Sequence, residues 1–191
     1  MPEVHLKKKV TLRQKGESAA FTFEGKLKVV LSWETQTDMD LCIFFKKKDG
    51  GVGGVFSDGY RNNKADLGSL DKFPFMQHMG DERDADSDKE SSEIVKVANL
   101  DDIDTAYICV VNYGAATEGR NVTFSDEKAN VEVRCEEQSI EVVADSSDPG
   151  QVYLVCSIKN NGDSKSVVNE KRVLDLSGAL DQIPGFSLIT E

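Results

Sequence analysis

The chain has 191 residues, a formal net charge of -11, 39% hydrophobic residues and 30% charged ones. That length suits one domain, or one domain with a small appendage, and a core large enough to need no covalent staples. The acidic balance argues against nucleic acid and anionic lipid as partners, and no apolar run approaches the roughly 18 residues of a membrane span.

The N-terminal MPEVHLKKKVTL has basic residues with no apolar stretch behind them. No signal peptide is expected from it, and the predicted setting is cytoplasmic. A first strand is expected over 4–12, with Lys7, Lys8 and Lys9 as a solvated basic cluster, and a second over 19–23. In 27–33, LKVVLSW, every odd position is apolar, the period of a half-buried strand. Short apolar runs at 41–45, 106–111 and 152–158 are rich in β-branched and aromatic residues and suit central strands covered on both faces. Weaker strand patterns lie at 51–56, 93–97, 130–134, 139–143 and 165–169. Turn signals such as Glu24-Gly25-Lys26, Asp49-Gly50-Gly51 and Asn161-Gly162-Asp163 separate them. Helix is expected only over 175–181, stopped by Pro184-Gly185.

Many short strands, frequent turns and little helix predict an all-β chain, a two-sheet β-sandwich with a short C-terminal helix or tail. The sandwich is expected over 1–172, with 173–191 packed on it or extending from it. Cys42, Cys109, Cys135 and Cys156 form no CxxC or Cys/His pattern. Two disulfides are formally possible, but buried free thiols are expected in a reducing compartment.

The run 81–93, DERDADSDKESSE, carries seven carboxylates against two cations, a net -5. Carboxylates packed this closely repel one another unless water screens them or a hard cation sits among them. Calcium takes six to eight oxygen ligands, which such a run can supply. An EF-hand register starting at Asp84 fails, because position six is Lys89 rather than Gly and position twelve is Val95 rather than Glu. Composition alone leaves two readings, a metal loop or a solvated acidic loop. Asp38 and Asp40 form a second constellation at the mouth of the 41–45 strand. An i, i+2 spacing on a strand puts both carboxylates on one face, about 7 Å apart at Cα, from where they can converge on a cation. The alternative is a turn acid beside a strand-edge acid.

Catalytic patterns are missing. His5 and His78 are the only histidines; His78 reads as a surface residue, or as one that orders the acidic run just after it. No GxSxG, HExxH or P-loop is present, and Gly50-Gly51-Val52-Gly53-Gly54 has no helix behind it to make a phosphate loop. The Asn121-Val122-Thr123 sequon carries no weight without secretion.

Three blocks carry a resemblance. Leu31-Ser32-Trp33 followed by Asp38-Met39-Asp40-Leu41 is the first, and Leu67-Gly68-Ser69-Leu70-Asp71 through Gly80-Asp81-Glu82-Arg83 is the second. The third is the acidic run leading into Glu93-Ile94-Val95-Lys96-Val97 and Leu100. Over roughly 27–112 the chain resembles the tellurium-resistance stress proteins of the TerD/TerA type, the middle block looking most like the TerA branch. The resemblance implies a β-sandwich in a bacterial cytoplasm, no established enzymatic activity, and one or two Ca2+ ions held by acidic loops at one end. It also implies partners among other proteins of a stress-response complex. Carried over by position, Asp38, Asp40 and Asp81 are the leading metal ligands, with Asp84, Asp86, Asp88, Glu90 and Glu93 competing for the remaining roles. The chain departs from the pattern in having no glycine after Gly80 in the acidic run, in Ser91 and Ser92 where acids are common, and in Glu82 for Asp or Asn. Without glycine the loop loses access to φ > 0, which weakens one of two possible ion sites.

Overall fold

The structure, a computed structural model, describes residues 8–57, 66–80, 91–135 and 138–190. In chain order the strands are β1 (Lys8–Leu12), β2 (Ser18–Phe21), β3 (Leu27–Trp33), β4 (Met39–Lys47), β5 (Val52–Val55), β6 (Gly68–Ser69) and β7 (Met76–His78). They continue with β8 (Ser91–Val97), β9 (Ile103–Asn112), β10 (Ala129–Arg134), β11 (Gln138–Ala144), β12 (Val152–Asn160) and β13 (Lys165–Leu174). Two short helices join them, α1 (Tyr113–Glu118) and α2 (Leu176–Gln182).

One sheet runs β1-β11-β10-β3-β8-β7-β6 and the other β2-β13-β12-β9-β4-β5. The pairing is antiparallel except for β1 beside β11. Leu27, Val29, Leu31 and Trp33 of β3 meet Leu41, Ile43 and Phe45 of β4 in one buried cluster between the sheets. The fold is therefore the all-β two-sheet sandwich that the period-two pattern predicted. Val30, across from Ile94, is buried as well, so the second face of β3 is covered too, which alternation alone did not require.

The other face of β4 carries Cys42 and Phe44, and there a second cluster forms with Cys109, Val111, Leu154, Ala179, Ile183, Phe186 and Ile189. Ala179 comes from α2, Ile183 from its C-cap, and Phe186 and Ile189 from the 3-10 helix behind it, so the C-terminal segment packs on the sandwich. Asp175 starts α2 as its N-cap, accepting the Gly178 amide at 2.7 Å. The glycines of the 50–54 run serve packing: a Cβ on Gly53 would stand 2.4 Å from the Phe45 ring, and one on Gly54 2.7 Å from Phe44. Both belong to β5, after a turn over 48–51.

Helix α1 was not anticipated. Its signals were Asn112, whose side chain accepts the Ala115 amide, and Gly119, which ends it with φ 67. Strand pairing dominates the apolar run before it, and that masked a six-residue helix.

Candidate cation site at one end of the sandwich

The connection from β3 to β4, 34–38, is shaped by hydrogen bonds from both neighbours. Trp33 Nε1 donates to the Thr37 carbonyl at 3.0 Å, folding the loop back on its own strand. The Glu34 amide donates to the Glu127 carbonyl at 3.1 Å. The Thr35 hydroxyl donates to Glu127 Oε2, and the Thr37 hydroxyl donates to Glu127 Oε1 at 3.1 Å. Glu127 closes a single turn of 3-10 helix, Ser125–Glu127, followed by Lys128 with φ 50. One carboxylate thus fixes the loop that presents Asp38.

Asp38 lies one residue before β4 and is exposed. It lines a cleft of about 540 Å³ with Thr37, Asn112, Arg120, Asp126 and Glu127. Asp40, inside β4, is only 4% exposed and shares the side of the strand that carries Cys42 and Phe44. The two acids therefore differ sharply in solvation, because the first stands in a loop and the second in a covered strand. Asp126 and Glu127 joined the cleft unannounced; their only sequence signal was an acidic turn, SDEK, before a strand.

The acidic run follows β7 and its last three residues, 91–93, open β8; the two strands pair antiparallel with His78 opposite Val95. Asp81, Asp84, Asp86, Asp88 and Glu90 lie outside the described residues, as does His5. The described flanks are informative. Ser91 pairs with Trp33 at the end of β3, and its hydroxyl donates to the Thr35 carbonyl at 3.3 Å. The C-terminal flank of the run therefore abuts the loop that carries Asp38.

His78 is not a surface residue: it is 1% exposed. Together with Met76 it faces the interior, because alternate residues of β7 share a face. Its Nδ1 accepts the Gly80 amide at 3.0 Å, which assigns the proton of the neutral ring to Nε2. Nε2 lies 3.4 Å from Glu93 Oε2, within ion-pair reach but outside hydrogen-bond geometry. The same Glu93 oxygen accepts the Leu41 amide at 2.6 Å. Glu93, one of the sequence-derived ligand candidates, is thus engaged with a strand of the opposite sheet.

The donor chemistry at this end is that of hard oxygen, which suits calcium. His78 has its acceptor nitrogen already used, and all four cysteines are buried and outside any disulfide. Burial pushes the Cys109 and Cys156 thiols up, so thiolate ligation is disfavoured there. Among the described residues no three His, Cys, Asp or Glu side chains gather in a way that could hold a metal ion. Asp38 and Asp40 would need carboxylates from 81–90 to complete a site. No helix among the described residues is long and apolar enough to cross a membrane. No protein-family model, curated protein or solved structure matches the chain.

Proposed function

We propose that the chain is a calcium-binding β-sandwich module of the tellurium-resistance stress type, acting in the cytoplasm by cation-dependent binding of partner proteins rather than by catalysis. The observation that supports it most is the hydrogen bond from Ser91 to the Thr35 carbonyl, since it joins the flank of the acidic run to the loop of Asp38. Asp38, Asp40 and Asp81 would hold the ion, with Asp84, Asp86, Asp88 and Glu90 as further donors. Bound calcium supplies a fixed divalent charge that offsets carboxylate repulsion.

Calorimetric melts with calcium and with chelator test the reading. Calcium at a hundredfold excess over its dissociation constant should stabilise the fold by about 2.7 kcal/mol. Melting unchanged by millimolar calcium sinks it. A second reading, a metal-free acidic end that docks a basic partner, draws on the shortage of grouped ligands among the described residues. Isothermal titration separates the two, since heat with calcium favours the first and no heat with any divalent ion favours the second. A divalent-metal hydrolase would need His78 as its acid–base group. That ring is buried, with Nδ1 bonded to Gly80 and Nε2 against Glu93, which favours binding over catalysis.

A further inference from the structure

We infer that Glu93 is a positioning residue, not an ion ligand: it clamps the base of the acidic run to β4 of the opposite sheet, beside Asp40. This rests on the reading above for the site it positions, but the clamp itself stands on contacts between described residues.

The clamp begins with an edge. In an antiparallel pair the N–H and C=O of one residue point to the same side of the strand. Strand β5 pairs only Ile43 to Lys46 of β4, and the Lys47 amide, further along the same edge, donates to Gly51. Odd residues of β4 therefore face β5, and among the described residues no strand pairs with that edge beyond Ile43. There Glu93 is the acceptor of the Leu41 amide. Along β8, residues 93, 95 and 97 face the interior, where Val95 and Val97 join the core between the sheets. The carboxylate reaches across that interior to Leu41 at 2.6 Å, a short, charge-assisted bond.

The same oxygen faces His78 Nε2, so His78, three residues before the run, and Glu93, at its end, meet at its base. The Glu93 side chain is only 16% exposed, and a partly desolvated carboxylate needs hydrogen bonds in compensation. Glu93 therefore makes sense as a fixed acceptor more than as one further charge in a crowded ion site. Partners standing behind first ligands commonly set metal affinity by holding geometry. Holding Leu41 in place fixes the backbone on which Asp40 sits.

The test compares the intact chain with Glu93→Gln, which keeps an acceptor oxygen, and Glu93→Met, which keeps the length and has none. Amide hydrogen exchange at Leu41 is read by NMR, and calcium affinity by titration calorimetry. Leu41 should exchange roughly 10- to 100-fold faster in E93M and stay near wild type in E93Q. Calcium affinity should fall roughly 10- to 100-fold in E93M and only about threefold or less in E93Q. Unchanged Leu41 exchange in E93M overturns the clamp. So does an affinity loss in E93Q as large as in E93M with Leu41 still protected, because charge would then matter and Glu93 would be a ligand. Loss of protection throughout β12 in E93M, with E93Q native, counts for the clamp, since the acceptor is what E93Q restores. No calcium heat from the intact chain overturns the reading above and not the clamp, which the exchange arm then supports or overturns alone.

Discussion

The Thr37 hydroxyl donates to Glu127 Oε1 at 3.1 Å, although 90 residues separate the two in sequence. With the Thr35 hydroxyl on the other carboxylate oxygen and the Glu34 amide on the Glu127 carbonyl, one residue fixes the whole β3–β4 connection. Replacing Glu127 by Ala leaves both hydroxyls without that acceptor and should destabilise the fold by about 1–3 kcal/mol. Glu127→Gln, which keeps one acceptor oxygen, should cost less. Urea unfolding of the two variants decides it, and equal stability of E127A and wild type would show that the loop holds itself.

The C-terminal segment should behave as part of the core. Phe186 is fully buried with its ring centroid 5.1 Å from that of Phe44. Truncation of Phe186 to Ala should cost about 3–5 kcal/mol. Gly185 sits at φ 87, and a Cβ there would stand 2.7 Å from the Gly53 carbonyl oxygen. Gly185→Ala should cost about 1–3 kcal/mol from the backbone conformation alone, and the clash adds to it. Thermal melts of both variants check this; a loosely attached tail would leave the melting temperature unmoved.

The thiols give a reactivity prediction and an alkaline one. Cys42, Cys109, Cys135 and Cys156 are buried thiols outside any disulfide, so a thiol reagent should label them only as the chain unfolds. Burial raises the Cys109 and Cys156 thiols above their usual 9.0 and pushes Tyr153 up to about 12. Because the folded values are raised, the unfolded chain ionises first. The stabilisation is complete below about pH 9.0 and is lost as pH climbs from there towards about 12. Urea midpoints that fall across that window, with thiol labelling rising in parallel, would bear this out. A flat midpoint would count against it.

Asn169 should be replaceable at a gain. Its side chain is 1% exposed and faces the interior from β13, and neither its oxygen nor its nitrogen has a hydrogen-bond partner among the described residues. Asn169→Leu removes two unsatisfied polar atoms and should raise stability by about 1–3 kcal/mol. If denaturant unfolding shows a loss instead, an internal water satisfies that amide.

Strand content was legible because it is a local property. The odd positions of 27–33 are apolar, and β3 buries all of them between the sheets. Helix α2 was legible too, over 175–181 with its stop at Pro184-Gly185, which is also a local signal. What escaped was either too short or too distant. Strand β7 has only three residues, fewer than any periodicity can reveal. The parallel pairing of β1 with β11 joins residues about 130 apart, and no turn signal encodes it. His78 looked like a surface residue because nothing local shows that β7 turns it inwards.

The sequence by itself determined that this chain is a two-sheet sandwich, that its densest run of acids follows Gly80, and that its hard-oxygen donors outnumber every other ligand type. Those conclusions follow from period, composition and donor chemistry, which need no coordinates. Only the tertiary structure decided that Asp38 is solvated and Asp40 buried, that Glu127 shapes the loop between them and β3, and that Glu93 reaches Leu41. Each of those depends on which strands become neighbours. Neighbours are set by how two sheets cover one core, and that is not written in any local stretch of the chain.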